Sequence, residues 1–289
     1  MSGTNNMKLS IITINYNNAA GLKKTLDSVA SQTCTDFEHI IVDGASTDGS
    51  VDEIIVYSQS PIANRHKITW LSEPDTGIYN AMNKGIKLAK GEYLLFLNSG
   101  DFLVASNILE RVFAQNLDVD IINAQCNVSD NGKVIWTSPY LSKVTLKDLY
   151  FVGLPHQSTF IRRILFDKYG MYREDFRYNS DMDFWYRSIA IGNATTSGID
   201  IVTTDYNLDG ISTINAQTEA YKKEVREIFS QSFLPRVLPD YELWKEERNV
   251  YTRYSWIEEH RGLQKLLSIY YKVSNRLRKI NVKYNRYLN

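Results

Sequence analysis

Cysteine is scarce in this chain, which has only Cys34 and Cys126 among its 289 residues. Two cysteines are too few for a framework of disulfides or for a structural zinc site held by thiolates. The scarcity excludes a small disulfide-stapled secreted module and favours a protein of a reducing compartment. We therefore expect a cytoplasmic localisation.

Long apolar runs are absent as well. No segment approaches the roughly 18–20 consecutive apolar residues that a helix needs to cross a bilayer. The start of the sequence lacks the basic and apolar regions of a signal peptide, and we expect residues 1–6 to be a disordered leader. Any contact with the inner face of a membrane would therefore be peripheral.

An excess of charge of either sign is also missing, because 33 Lys and Arg balance 33 Asp and Glu. This balance excludes a highly basic nucleic-acid-binding protein, so we expect no nucleic-acid partner. The charges are nevertheless unevenly distributed along the chain. Residues 261–289 hold eight basic residues and no acidic one, which leaves residues 1–260 with 25 basic and 33 acidic side chains and a net charge of −8.

Short apolar stretches alternate with helical patterns in the N-terminal half. Buried strands are expected at residues 8–16, 37–42, 68–71 and 92–97, and helices with a 3.6-residue apolar spacing at 22–31, 48–57 and 76–89. This alternation predicts βαβ units and a parallel sheet flanked by helices, which is an α/β fold. Beyond residue 118 the pattern weakens to short strands and a helix at 180–191, and from residue 213 the chain is mostly helical.

Polar clusters at residues 15–18, 43–48 and 98–101 follow three of the predicted strands. The carboxyl ends of parallel strands meet at one edge, where open α/β sheets bind ligands, so we expect the clusters to lie together. Carboxylates in the second cluster suit a ribose hydroxyl or a base N–H, although helix capping explains part of that cluster. Asp101 suits Mg²⁺ or Mn²⁺ beside a phosphate, and an ordinary surface turn is the alternative.

Several motifs stand in a fixed order: SIITINYN at 10–17, Gln32-Thr33 with Phe37-Glu38, DGASTDG at 43–49, Asn83-Lys84-Gly85-Ile86 with Ala89 and Gly91, and Asn98–Asp101. In order and spacing they resemble glycosyltransferase family 2 over roughly residues 8–210. The stretch 73–101 resembles the branch of bacterial polysaccharide-assembly transferases related to colanic acid biosynthesis. The resemblance implies a GT-A fold, which is a Rossmann-like, mostly parallel sheet flanked by helices.

The same resemblance implies an inverting transfer of a sugar from a nucleotide-diphosphate donor, expected to be UDP-linked. The acceptor would be a saccharide or a lipid-linked saccharide in polysaccharide biosynthesis. We expect a catalytic domain over residues 7–212, with a nucleotide-binding half at 7–104 and an acceptor half at 105–212. A helical extension would occupy residues 213–289.

Roles on the donor side follow from the resemblance. Tyr16 would lie against the nucleotide base, and Asp43 would hydrogen-bond the base or the ribose. The full set of residues expected to hold the nucleotide sugar is Ile14, Asn15, Tyr16, Asp43, Asp75, Asn83 and Asn98.

The expected metal site departs from the family pattern. Asn98 and Asp101 occupy the place of the Asp-x-Asp(-Asp) motif, in which Asn98 and Gly100 replace two of the usual carboxylates. Asp101 therefore remains as the expected ligand of Mg²⁺ or Mn²⁺, with the diphosphate oxygens sharing the coordination.

Roles on the acceptor side also follow from the resemblance. The segment 179–185 is similar to the family's Glu-Asp-x-Asp-hydrophobic-Trp segment and implies that Asp181 is the catalytic base, with helix capping as the alternative. At a helix start the dipole lowers the pKa of a carboxyl, whereas burial beside aromatic side chains raises it. The residues expected to contact the acceptor or the diphosphate are His156, Asp183 and Ser212.

The basic segment 261–289 carries apolar residues at alternating spacings of three and four, which predicts a long amphipathic helix. This seam consists of Leu263, Leu266, Tyr270, Val273, Leu277, Ile280, Tyr284 and Tyr287. Three arrangements are open to the helix: it packs on its own catalytic domain, it forms a homodimer, or it lies on an anionic membrane surface.

Two other functions compete with glycosyl transfer. A sugar nucleotidyltransferase would use a similar sheet, but residues 17–21 after the first strand lack the basic Gly-rich loop of that class. A non-catalytic nucleotide-sugar-binding protein would explain the reduced metal motif. Turnover of a donor distinguishes these functions.

Overall fold

The N-terminal half forms the alternation of strands and helices that the sequence predicts. The computed structural model describes residues 7–61, 65–208, 215–254 and 260–285. The first strands are β1 (Leu9–Asn15), β2 (Phe37–Asp43), β3 (Lys67–Ser72) and β4 (Tyr93–Phe96), and the helices between them are α1 (Ala19–Ala30), α2 (Ser50–Gln59) and α3 (Ile78–Leu88).

These four strands are parallel and lie in the order β3-β2-β1-β4. Every residue of β1, β2 and β4 is buried, because helices cover both faces of the sheet. Leu9 and Ile11 pack with Tyr93 and Leu95 on one face, and Ile41 packs with α1 and α2 on the other. Apolar burial on both faces fixes the register that brings the ends of β1, β2 and β4 together.

The second half is a mixture of strands and short helices. Its elements are β5 (Phe102–Leu103), α4 (Ile108–Phe113), β6 (Ile121–Asp130), β7 (Lys133–Thr137), α5 (Leu146–Phe151), β8 (Thr159–Arg162), α6 (Ile164–Tyr169), α7 (Ser180–Trp185) and β9 (Thr196–Asn207). A short 3₁₀ turn at His156–Ser158 precedes β8, and α7 continues as a π-helical segment at Tyr186–Ile191.

Within the described residues the strands form one nine-stranded sheet, in the order β3-β2-β1-β4-β8-β6-β9-β5 with β7 paired to β6. Strand β8 is antiparallel to β4 and β6, whereas β6 and β9 are parallel. The α/β fold is confirmed. The sheet that we expected to be mostly parallel is parallel from β3 to β4 and mixed across the remaining strands.

In the part of the chain that the structure describes, three helices follow the sheet: α8 (Glu219–Ser232), α9 (Leu238–Tyr254) and α10 (Arg261–Asn285). The chain divides into two units, the first ending at Ser232 and the second spanning residues 233–289. Helix α8 therefore belongs to the first unit, although we placed the end of that domain at residue 212. None of the helices in the described ranges is long and apolar enough to cross a membrane.

The amphipathic helix expected at 261–289 is present from Arg261 to Asn285. Three residues of its apolar seam, Leu266, Tyr270 and Val273, each expose more than half of their surface. The last seam residue, Tyr287, lies outside the described residues.

Candidate active site

The polar clusters that follow β1, β2 and β4 lie together at the carboxyl edge of the sheet. The amide of Gly44 donates to the carbonyl of Asn15 over 2.9 Å, and the amide of Ser99 donates to the carbonyl of Ile14 over 3.0 Å. The ends of the three strands are therefore joined by backbone hydrogen bonds. This edge forms the floor of the site.

Asp43 lies beneath the loop that follows β2. Its carboxylate is completely buried and accepts hydrogen bonds from Asn15 Nδ2, Ser46 Oγ and Ser72 Oγ at 2.8, 2.6 and 2.7 Å. Burial opposes the charge, but these donors together hold the pKa of Asp43 below its ordinary value. In the structure Asp43 thus shapes the loop, and its contact with a nucleotide remains a prediction.

An exposed aromatic ring and a carboxylate flank Gly44. The Tyr16 side chain is two-thirds exposed. A methyl group placed on Gly44 would come within 2.6 Å of Asp75 Oδ2 and 3.1 Å of Tyr16 Cδ2. Because Gly44 has no side chain, Tyr16 and Asp75 can lie close together. They offer a flat ring and an acceptor oxygen of the kind that a nucleobase can contact.

Thr25 of α1 holds the turn at Asn98–Asp101. Its buried hydroxyl donates to the carbonyl of Asp101 over 2.7 Å and accepts from the amide of Gly100 over 3.0 Å. Gly100 has a φ of 109°, a conformation that glycine adopts without strain. Local glycine geometry and one contact with α1 thus fix the turn.

The oxygen atoms at this turn fit a hard divalent cation. Asp101 supplies a carboxylate, and Oδ1 of Asn98 is buried without a hydrogen-bond partner among the described residues. Mg²⁺ is commonly held by one or two carboxylates together with substrate phosphates and water. No group of three His, Cys, Asp or Glu residues in the described ranges could hold a metal ion, so a metal here would depend on the diphosphate for much of its coordination.

Asp181 stands at the start of α7 between His156 and Tyr79. Nδ1 of His156 lies 3.2 Å from Asp181 Oδ2, and the Tyr79 hydroxyl donates to Asp181 Oδ1 over 3.1 Å. The amide of Met182 donates to the same Oδ1 over 2.9 Å. Nε2 of His156 lies 3.2 Å from Nδ2 of Asn98, so one imidazole links the turn at Asn98–Asp101 to Asp181.

The electrostatics of this group favour an ionised Asp181. Burial alone would raise the pKa of Asp181, but the hydrogen bonds from His156, Met182 and Tyr79 hold it below its ordinary value. Burial likewise opposes a charge on His156, and the Asp181 carboxylate outweighs it, so the pKa of His156 is raised. Asp181 is therefore a carboxylate at neutral pH, as a proton acceptor must be.

Asp183 does not share this position. Its carboxylate is buried and accepts from Arg187 Nε over 2.7 Å, and Arg187 in turn donates to the carbonyls of Gly170 and Met171. Oδ2 of Asp183 is thus paired within the protein, and the expected contact with acceptor or diphosphate remains a prediction. Ser212, which was also expected to contact the acceptor or the diphosphate, lies outside the described residues.

Asn83 joins two parts of the fold, and its expected contact with the nucleotide sugar remains a prediction. It is buried in α3, its amide nitrogen donates to the carbonyl of Tyr172 and to Glu174 Oε1 at 2.9 Å each, and its oxygen accepts from the amide of Tyr172. Its donors are fully used in joining α3 to the segment that precedes α7.

Sequence reasoning missed two residues that shape the site. Tyr79 lies 102 positions before Asp181, and Thr25 lies 76 positions before Asp101. Tyr79 belongs to the stretch 73–101 that carries the family resemblance, which could have drawn attention to it. Nothing local distinguishes Thr25 from any other threonine in a helix.

Sequence comparison identifies the family of the chain. The profile described as "Glycosyl transferase family 2" matches residues 10–177, which is more than half of the chain. The chain belongs to glycosyltransferase family 2. It is therefore a glycosyltransferase, as the resemblance implied, and its GT-A fold is confirmed.

Curated relatives agree with this family. The "PGL/p-HBAD biosynthesis glycosyltransferase" of Mycobacterium bovis (strain BCG / Pasteur 1173P2) is 33% identical over 219 residues, covering 74% of this chain and 82% of the relative. The "Uncharacterized glycosyltransferase YibD" of Escherichia coli (strain K12) is 33% identical over 127 residues, covering 44% of this chain and 35% of the relative. The narrower likeness to colanic acid transferases remains a prediction.

Solved structures share the fold. TarS 1–349 of S. aureus in complex with UDP-GlcNAc has a TM-score of 0.62 and 23% identity, covering 77% of this chain and 65% of that one. The mannosyltransferase PcManGT of Pyrobaculum calidifontis, in complex with GDP-Man and Mn²⁺, has a TM-score of 0.59 and 16% identity, covering 78% and 63%. This chain thus spans somewhat less than two thirds of either structure.

Proposed function

We propose that this glycosyltransferase moves one sugar from a UDP-linked donor to a hydroxyl of a saccharide or lipid-linked saccharide, with inversion, during polysaccharide assembly. The observation that carries the proposal is the carboxylate of Asp181. His156 and Tyr79 hold its two oxygens, and the same histidine contacts Asn98 at the carboxyl edge of the sheet. A proton acceptor therefore stands beside the place where donor phosphates are expected.

The proposed reaction is a single displacement. Asp181 removes the proton of the acceptor hydroxyl while that oxygen forms a bond to the anomeric carbon of the donor sugar. The bond from the anomeric carbon to the diphosphate breaks, and its electron pair leaves with the nucleoside diphosphate. Attack opposite the leaving group inverts the anomeric centre.

The donor contacts are proposed from three places along the sheet edge. Tyr16 and Asp75, beside Gly44, would receive the nucleobase. Asn98 and Asp101 would lie beside the diphosphate. A divalent cation, Mg²⁺ or Mn²⁺, would neutralise charge on the leaving diphosphate, with Asp101 as its protein carboxylate.

Relatives support parts of this proposal. TarS was crystallised with UDP-GlcNAc and PcManGT with GDP-Man and Mn²⁺. A uridine donor is the proposal here, and the guanosine donor is its direct competitor. The mycobacterial relatives are named for PGL/p-HBAD biosynthesis, and the acceptor proposed here is a saccharide or a lipid-linked saccharide. Such an acceptor would place the enzyme peripherally at the inner face of a membrane.

The test is a donor screen. The full-length protein is incubated with UDP- and GDP-sugars, with and without Mn²⁺, and release of the free nucleoside diphosphate is measured with saccharide and lipid-linked acceptors. We expect acceptor-dependent release of UDP from at least one UDP-sugar. The anomeric configuration of the product, determined by NMR, should be opposite to that of the donor. Turnover of GDP-sugars alone, or retention of configuration, would contradict the proposal. Binding of a donor without consumption by any acceptor would favour a binding protein.

A further inference from the structure

A single carboxylate from α8 holds the segment immediately before Asp181. Glu224 Oε1 accepts from the amide of Arg177 over 2.7 Å, and Oε2 accepts from the amides of Tyr178 and Asn179 over 3.0 Å each. Oε2 also accepts from Asn179 Nδ2 over 3.1 Å. Three successive backbone N–H groups thus converge on one carboxylate, an arrangement that binds an anion tightly and restricts the backbone.

The local sequence offers no substitute for this carboxylate. Asn179 is the N-cap residue of α7, yet its side chain makes no capping hydrogen bond to the helix. It donates to Glu224 instead. The position of the first turn of α7, which contains Asp181, is therefore set by an acid 45 positions later in the chain.

Helix α8 is itself firmly anchored in the first unit. Ile228 is completely buried, the ring of Phe229 stacks on Tyr150 with centroids 4.9 Å apart, and Glu227 forms a 2.7 Å ion pair with Arg173. These contacts involve side chains other than Glu224. Removing the Glu224 carboxylate should therefore free residues 177–179 and leave the helix in place.

The family profile ends at residue 177, so neither Asp181 nor Glu224 lies in the matched segment. Helix α8 also belongs to the part of the chain that we expected to be an extension. The support of Asp181 thus comes from a segment whose role is not evident in the family pattern.

We propose that Glu224 is a positioning residue for the transfer reaction. It holds residues 177–179 so that the carboxylate of Asp181 meets both His156 and Tyr79. The proposal rests on the role of Asp181 as the base under the proposed function. Without the Glu224 carboxylate, Asp181 samples orientations in which it does not face the acceptor hydroxyl, so the chemical step slows while donor binding at Tyr16 and Asp75 is preserved.

The test compares Glu224→Ala and Glu224→Gln with Glu219→Ala in the full-length protein. Glu219 lies on the same helix, is mostly exposed and forms ion pairs with Lys222 and Arg226. We expect Glu224→Ala to lower kcat at least tenfold while the KM for the donor changes less than twofold. Glu224→Gln keeps one accepting oxygen and should recover part of kcat, and Glu219→Ala should match the original protein.

Hydrogen exchange supplies a measurement that needs no turnover. The amides of Arg177, Tyr178 and Asn179 should exchange at least tenfold faster in Glu224→Ala, with protection in β1 and α3 unchanged. A kcat within twofold of the original, or unchanged exchange at these amides, would overturn the proposal. A matching loss of donor affinity and protection across the whole unit would assign Glu224 a purely structural role and would also overturn it.

The two proposals can fail separately. If the original protein consumes no donor with any acceptor, the proposed function is lost, and the exchange experiment still decides whether Glu224 holds residues 177–179. If the original protein turns over and Glu224→Ala turns over equally well, only the positioning role is lost.

Discussion

The imidazole of His156 joins Asp181 to the turn that holds Asp101, because Nδ1 lies 3.2 Å from Asp181 Oδ2 and Nε2 lies 3.2 Å from Asn98 Nδ2. The proposed base and the proposed diphosphate region are therefore not independent. A change at either end of this chain of contacts alters the orientation of the ring between them. The activity of the enzyme should be most sensitive to substitutions along this chain.

Replacing Asp181 with Asn should abolish transfer and preserve nucleotide binding. The amide keeps the shape of the side chain and can still accept from Tyr79 and Met182, but it cannot take a proton. Because general-base catalysis typically contributes a factor of about 10² to 10⁴, we expect kcat to decrease by a factor in that range. Calorimetric titration with UDP should give a Kd within twofold of the original.

A matched control for Asp181→Asn is Asp183→Asn, two residues along the same helix. Asp183 pairs with Arg187 inside the protein, so its replacement should lower the melting temperature and leave kcat per folded molecule close to the original. Retention of more than a tenth of the activity by Asp181→Asn would remove Asp181 as the base.

Removal of divalent cations should stop the reaction. One carboxylate and one amide oxygen are a sparse protein donor set, so the metal should bind well only when the diphosphate is present. We expect EDTA to abolish transfer and Mn²⁺ or Mg²⁺ to restore it. Calorimetry should show that UDP binds more tightly with Mn²⁺, and that Asp101→Ala loses this difference. Activity undiminished by EDTA would refute the metal requirement.

Adding a methyl group at Gly44 should weaken donor binding. Its Cβ would come within 2.6 Å of Asp75 Oδ2 and 3.1 Å of the Tyr16 ring, so one of the two side chains must move. We expect Gly44→Ala to raise the KM for the donor roughly tenfold, a loss of about 1.4 kcal/mol of binding, with a smaller change in kcat. Gly262→Ala is the control, because a Cβ there meets nothing within 4 Å. An unchanged donor KM would show that Gly44 is not part of the nucleobase-binding site.

The nucleotide-binding half was predictable because its signal is local. Apolar periodicity defines each strand and helix, and the parallel register then brings the ends of β1, β2 and β4 to one edge. The place of Asp181 at the start of a helix was predictable because its motif is contiguous, and its role as the base remains a prediction. Asp183 belongs to the same motif, and residue type alone does not reveal that Arg187 pairs with its Oδ2.

The rest of the site depends on contacts between distant parts of the chain. Tyr79 and Glu224 meet the Asp181 region across 102 and 45 positions. Neither contact produces a periodicity or a spacing. Asn83 is a further example, because it belongs to a recognised motif and the motif does not reveal that its amide donates to the carbonyl of Tyr172. The burial and pairing of a side chain depend on the tertiary structure and cannot be read from a single sequence.

Acid should destabilise the fold through two buried histidines. Thr13, His39, Tyr57 and His66 form a hydrogen-bonded chain with contacts of 2.9, 2.9 and 3.1 Å. Burial lowers the pKa of His39 to about 3 and that of His66 to about 4, from 6.5. Between those values and pH 6.5 the unfolded chain binds protons that the folded protein excludes, so stability present at pH 7 is lost as the pH falls below 6.5.

Urea unfolding at pH 7.0, 6.0 and 5.0 measures this loss. Each histidine that stays neutral in the fold should cost up to about 1.4 kcal/mol for each pH unit below 6.5. His66→Phe is the informative variant, because a phenyl ring keeps the stacking on Phe37, with centroids 4.3 Å apart in the original, and has no proton to exclude. Its free energy of unfolding should fall less steeply with acid. If the free energy of unfolding changed with pH equally in the two proteins, His66 would not contribute to the acid destabilisation.

Helix α10 should bind an anionic bilayer. Its exposed side chains include Leu266, Ile269 and Tyr270, and the segment 261–289 has eight basic residues and no acidic one. Each basic residue near an anionic surface contributes about 1 kcal/mol. The double variant Lys265→Glu with Lys272→Glu should therefore lower co-sedimentation with phosphatidylglycerol vesicles at least tenfold, while neutral phosphatidylcholine vesicles should bind neither protein well.

The control carries the same charge change outside α10, at the exposed residues Lys133 and Lys143 of the first unit. Both double variants lower the net charge by four, so a general electrostatic attraction would weaken their binding equally. Selective loss in the α10 variant assigns the attraction to that helix. Equal loss would remove the membrane arrangement, and sedimentation equilibrium would then separate a homodimer, whose apparent mass rises with concentration, from a helix packed on its own chain.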